Sequence, residues 1–201
     1  HPGGERGAVL KEPPVSRRFV DSEGALMKSF DDAGTALSWI HPDPARREFV
    51  LRNAAGDDVA SLQWQKSEGS LAIGTTEQSQ WTLKRAGFQR PLITARAAGE
   101  STDAATFELG MGGAGRVRLR SGYDFRWSSN LWRSEWSWQN ASGADAIVIR
   151  REFAMDKREG IVENVPGAIP QREVALLVVM GCYIVILLAE DPAVRRPSGG
   201  R

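Results

Sequence analysis

Four arginines, Arg116, Arg118, Arg120 and Arg126, carry the clearest hint of chemistry in the chain. Alternate side chains of an extended strand share a face. In R-V-R-L-R the arginines therefore stand on one side, with Val117 and Leu119 on the other. A planar guanidinium grips a carboxylate or phosphate through two parallel hydrogen bonds. With Lys84, Arg85 and Arg90 the ladder would form a basic patch for anionic lipid headgroups or another acidic ligand. An ordinary solvated sheet face gives the same pattern, and Glu108 and Asp124 are near enough to offset the charge.

Other chemistries find little support. The histidines are His1 and His41, and His41 lies in the turn-like H-P-D-P segment. Cys182 is the lone cysteine and sits inside an apolar run, so a Cys/His zinc site is excluded. A Ser–His–Asp triad would have to use His41 or His1, and no G-x-S-x-G elbow accompanies them. The glycine cluster Gly110–Gly115 lacks the lysine of a phosphate-binding loop and leads into a strand, which predicts a hairpin loop. The pairs Asp31-Asp32 and Asp57-Asp58 suit turns, and no calcium-loop spacing is present. The chain reads as a non-enzyme with neither cofactor nor metal.

Lysine and arginine total 26 against 25 aspartates and glutamates, a net charge of +1. That balance argues against a general nucleic-acid binder. A single cysteine cannot close a disulfide within the chain, and a reducing, cytoplasmic setting is the default. The 201 residues can bury a sizeable core.

Residues 1–26, rich in Gly, Pro and Arg, read as a disordered tail, as do 193–201. Met27 is read as a start, an idea that native peptides from 1–26 would reject. The domain then spans 27–192. From Phe49 onward, short alternating runs bounded by glycines predict β-structure at residues 49–53, 59–64, 70–75, 80–84, 92–96, 105–109, 115–120, 123–127, 135–139 and 146–153. About ten antiparallel strands with even spacing point to a sandwich or barrel. Tyr123, Phe125 and Trp127 share one face, as do Trp136 and Trp138. Five of the seven tryptophans fall between 81 and 138, lining a wide apolar interior.

Something must fill that interior. Val174–Ala189 is a run of sixteen residues with no charge and no proline. As a helix it would be about 24 Å long, short for a bilayer core of about 30 Å. Apolar on every side, it suits a helix buried all round. A C-terminal membrane anchor on a β-domain with a scaffold role is the rival, supported by Arg195 and Arg196 beyond the run.

The hairpin F-V-L-R-N-A-A-G-D-D-V-A-S-L-Q-W, the succession of short strands, the S-G-Y-D-F-R-W segment and the terminal hydrophobic run together resemble the tubby C-terminal-like superfamily, which includes LURP-one-related and phospholipid-scramblase-like proteins. The resemblance covers roughly 28–190. It implies a mainly β fold: a closed antiparallel barrel of about twelve strands around a central hydrophobic C-terminal helix, here 172–190. It also implies a non-enzymatic binding module for an anionic lipid, a membrane surface or a protein partner, cytoplasmic or membrane-associated. None of the family's phosphoinositide-binding residues maps onto a position of this chain.

Overall fold

The computed structural model describes residues 19, 20, 24, 26–87, 91–110, 113–151 and 159–190. Among them are twelve strands and one helix, in the order β1 (Ala36–Ile40), β2 (Glu48–Arg52), β3 (Asp58–Trp64), β4 (Ala72–Thr76), β5 (Gln80–Ala86), β6 (Leu92–Ala97), β7 (Ala105–Leu109), β8 (Gly115–Leu119), β9 (Asp124–Ser129), β10 (Glu135–Gln139), β11 (Asp145–Arg151), β12 (Gly160–Asn164) and α1 (Gln171–Glu190). Each strand pairs antiparallel with its chain neighbours, and β1 closes on β12 through Ala36↔Glu163 to Trp39↔Gly160. The fold is the closed barrel that the resemblance implies. Closure leaves no sheet edge unpaired.

The count of ten strands from alternation alone falls short by β1 and β12, the pair that seals the barrel. A-L-S-W-I is five residues before His41-Pro42, and G-I-V-E-N ends in polar Glu163 and Asn164. Neither stands between glycine turns in the run of alternating segments from Phe49 to Phe153, and the barrel's closure supplies their pairing. The expected tails at 1–26 and 193–201 lie largely outside the described residues. Phe19 donates its N–H to the Glu77 carbonyl and Val20 bridges Leu26.

Hairpin chemistry sets the registers. Between β2 and β3 the Asn53 side-chain oxygen accepts the N–H groups of Ala55 and Asp57, and Gly56 takes φ 86°, a left-handed value that glycine tolerates.

The interior belongs to α1. Its 20 residues span about 30 Å at the helical rise. Residues Val174 and Leu176 through Leu187 are buried, so the apolar side chains find strand side chains on every flank. By length and composition α1 would pass for a membrane span; here it is wrapped by its own sheet. Gly181 marks the closest approach. A Cβ there would meet Ile149 Cδ1 at 2.5 Å and Trp138 Nε1 at 3.0 Å. Trp138 donates its indole N–H to the Leu177 carbonyl at 2.9 Å, stitching β10 to the helix. Phe107, Trp127 and Trp138 pack edge-on and tilted at 4.4–6.2 Å. The shared face expected for Tyr123, Phe125 and Trp127 holds for the last two, which are buried. Tyr123 precedes β9 and is 42% exposed.

Candidate functional site

The outer face of β8 and β9 gathers the arginine ladder. Arg116 and Arg118 project outward from β8, Arg120 follows it, and Arg126 projects from β9. The register sets Arg116 opposite Arg126 and Arg118 opposite Asp124. Asp124 takes most of the load. It accepts from Arg116 at 2.5 Å and lies 3.7 Å from the Arg118 guanidinium. Arg120 is held by Glu100 at 3.1 Å and by the Thr102 hydroxyl at 2.9 Å. Glu108, on β7, is Arg116's other cross-strand neighbour.

Arg126 stands apart. It is exposed and makes no hydrogen bond or ion pair among the described residues. Beside it lies an open cleft of about 410 Å³ lined by Arg116, Arg126, Gln139, Asn140 and Ser142. Lys84 and Arg85 belong to β5, on a different part of the wall. Arg90 lies outside the described residues.

A second constellation occupies the barrel end where α1 emerges, and sequence reasoning did not find it. Arg47 pairs with Glu190, donates to the Gly69 carbonyl at 2.7 Å and lies 4.4 Å over the Trp64 ring. Trp64 stacks on Tyr183 with centroids 5.5 Å apart, and the Tyr183 hydroxyl donates to the Ser70 carbonyl. Burial pushes the Tyr183 phenol up, against the pull of the Ser70 bond and Arg47's charge. Arg47, Trp64, Gly69 and Glu190 line an open cleft of about 840 Å³ between the β1–β2 and β3–β4 loops, with Tyr183 behind Trp64. Residues this far apart in sequence, such as Arg47 and Glu190, give no local signal.

A third feature is the β9–β10 hairpin tip, at the same barrel end. Leu131 is 89% exposed and Trp132 81%, well beyond any other large apolar side chain described. Its sequence signal was present, two large apolar residues in a turn between alternating runs.

For catalysis the geometry offers little. His41 donates from Nε2 to the Arg46 carbonyl oxygen at 2.7 Å, a contact within its own loop, and stacks on Phe49 at 4.7 Å. Cys182 is 1% exposed in the helix, and burial pushes its thiol up, which keeps it protonated and unreactive. Among the described residues no three His, Cys, Asp or Glu side chains gather as metal ligands. Gly113–Gly115 lead from the β7–β8 loop straight into β8, so no helix N-terminus faces that loop.

The sequence matches no protein-family model and no curated relative. An X-ray structure of a protein from Arabidopsis thaliana aligns with 73% of this chain and 88% of its own, at 14% identity and a TM-score of 0.48. No residue role is carried over from a likeness at that level, and the barrel stands on its own ladder of strand pairs.

Proposed function

We propose that this protein is a non-enzymatic binding module of the tubby-like kind, which recognises an anionic ligand or surface through the outer face of β8 and β9. One observation carries the reading. Arg116 and Arg126 sit directly opposite each other, Asp124 is shared between Arg116 and Arg118, and Arg126 has no acid of its own among the described residues. Like charges directly across a strand pair are unfavourable, and a bound anion removes that cost. The Asn140 side-chain amide beside them supplies a neutral donor for the same ligand, held in place by the Ser142 hydroxyl that donates to its oxygen. The barrel wall needs no such arrangement for its own stability.

The setting proposed is the cytoplasm or the cytoplasmic face of a membrane, with no nucleic acid as partner. Anchoring through α1 is not favoured, because moving that helix into a bilayer would empty the barrel of its filling.

Liposome co-sedimentation tests the reading. Wild-type protein should bind vesicles containing an anionic lipid, and weaken as salt rises. Each cation near an anionic surface contributes about 1 kcal/mol, so Arg116→Ser with Arg126→Ser should weaken binding by roughly tenfold or more. Equal binding by wild type and the double variant would remove the arginine face from consideration.

A further inference from the structure

The β9–β10 tip is built to hold apolar side chains in water. Asn130 Oδ1 accepts the N–H groups of Ser134 at 2.9 Å and Glu135 at 3.3 Å, and its amide donates to the Ser134 hydroxyl at 2.9 Å. The Arg133 N–H closes the turn on the Asn130 carbonyl at 3.1 Å, and Arg133 itself takes φ 51°. A left-handed non-glycine residue is an unfavourable conformation that its surroundings must enforce. The result is a braced, convex tip whose outermost groups are Leu131 and Trp132.

We propose that this tip is a lipid-penetrating wedge: Leu131 and Trp132 enter the interfacial layer of a bilayer while Arg133, Arg126 and Arg116 meet the headgroups. The inference rests on the anionic-surface reading above and makes that surface a membrane. Three observations favour a bilayer over a protein pocket. The tip is convex and its two apolar side chains are adjacent in sequence, so a phase that moulds around them covers both. Trp is the side chain that prefers the water–lipid boundary, and a neighbouring Arg keeps its charge at headgroup level. The spacing also agrees. Arg126 lies five residues behind Leu131 on β9, about 16 Å along the strand and about 12 Å along the barrel axis once strands tilt. A tip sunk about 5–10 Å therefore brings the Arg126 side chain to the headgroups. Glu135, at the base of the tip, shares Arg150 with Glu163, so that trio carries one negative charge against the three arginines of the wedge.

The full chain offers a clean probe, because its native cysteine is buried. Leu131→Cys carrying an environment-sensitive fluorophore is mixed with phosphatidylcholine vesicles containing roughly one-fifth phosphatidylserine. Ala55→Cys, exposed in the β2–β3 hairpin at the opposite end of the barrel and outside the arginine cleft, is the control. A blue shift at position 131 and none at 55 is expected, and Leu131→Ser with Trp132→Ser should weaken vesicle partitioning by roughly tenfold or more. Co-sedimentation without a shift at 131 overturns the wedge and leaves the arginine reading standing. A shift at 131 that Arg116→Ser with Arg126→Ser leaves unchanged keeps the wedge and removes the arginines. No association with either vesicle composition, anionic or phosphatidylcholine alone, overturns both.

Discussion

Alternate residues of β8, β9 and β10 face two different media, and the two sets obey different rules. Inward, Val117, Phe125, Trp127 and Trp138 are between 0% and 4% exposed and belong to one core with the α1 side chains, where Trp127 and Trp138 reach the helix at Gly181. Outward, Arg116 pairs with Asp124 and Gln139 donates to Asp145, while Arg126 faces water. The inner set is chosen by shape, since a packed interior feels each methylene. The outer set is free of that constraint, which is why it can carry a ligand. Substitutions that separate the two media make the difference measurable.

The largest effect should come from the filling itself. A chain ending at Pro170 exposes the whole inner wall, and it should lose cooperative thermal unfolding and aggregate. A soluble, cooperatively folding truncation would refute the idea that α1 organises the barrel. Within the full chain, Gly181→Leu drives a side chain into Ile149 and Trp138, where even a Cβ meets Ile149 at 2.5 Å. Overpacking typically costs about 1–3 kcal/mol and occasionally more. Expected is a loss of about 1–3 kcal/mol in urea unfolding, since the Ile149 side-chain end can shift but the rings of Trp138 and Trp127 beyond it leave little room.

Two adjacent tryptophans sharpen the rule inside the barrel. Trp127 and Trp138 are both 0% exposed and 4.4 Å apart, yet the Trp138 indole N–H reaches Leu177 while that of Trp127 finds no partner. Replacing either by Phe removes similar volume. Trp138→Phe also forfeits a hydrogen bond, whereas Trp127→Phe removes an unsatisfied buried donor. Trp138→Phe should therefore cost about 1–3 kcal/mol more than Trp127→Phe. Equal costs would mean that the bond to the helix contributes nothing.

This division explains what could be read from the sequence. The lumen writes itself as alternation, so ten of the strands and the all-round apolar helix are legible residue by residue, in pairs such as Val117/Leu119 and Trp136/Trp138. β1 and β12 are not, because each takes its meaning from the other, across a pairing that joins the two ends of the sheet. The outward ladder is legible as a face. Its pairings are not, since Asp124 under Arg116 and Glu100 under Arg120 depend on barrel register. The latch of Arg47 with Glu190 is invisible for the same reason: 143 residues separate its members.

A smaller effect lies at the mouth, where the two media meet. Tyr183→Phe deletes the bond to the Ser70 carbonyl and should cost about 1 kcal/mol at neutral pH. Burial holds the folded phenol above its ordinary value of about 10. On raising the pH, the unfolded chain releases that proton first, so the folded state binds more protons and stability falls above about pH 10. The buried Cys182 thiol behaves alike from an ordinary value of about 8.5. Urea midpoints should thus decline from about pH 9, by about 1.4 kcal/mol per pH unit for each group once it ionises in the unfolded chain. Cys182→Ala should delay the onset to about pH 10, and adding Tyr183→Phe should flatten the profile. An unchanged alkaline slope in the double variant would assign the loss to other groups.

The smallest effect is expected on the outer face, and its smallness is informative. Arg116 is 64% exposed in its pair with Asp124, and pairs of that exposure contribute about 0–1 kcal/mol. Losing Arg116 leaves Asp124 beside Arg118, so the acid keeps a cation. Arg126 has only a like charge opposite, so Arg126→Ser relieves a repulsion and should leave stability unchanged or raised by a few tenths of a kcal/mol. Both variants should melt within about 2 °C of wild type, given the melting shifts that 1 kcal/mol produces in a domain of this size. A loss above about 1.5 kcal/mol in either would make the arginine structural. Its effect on vesicle binding could then be a folding defect. A silent melt alongside weakened binding separates the two media as cleanly as the molecule allows, because the arginine then acts outside the barrel and nowhere within it.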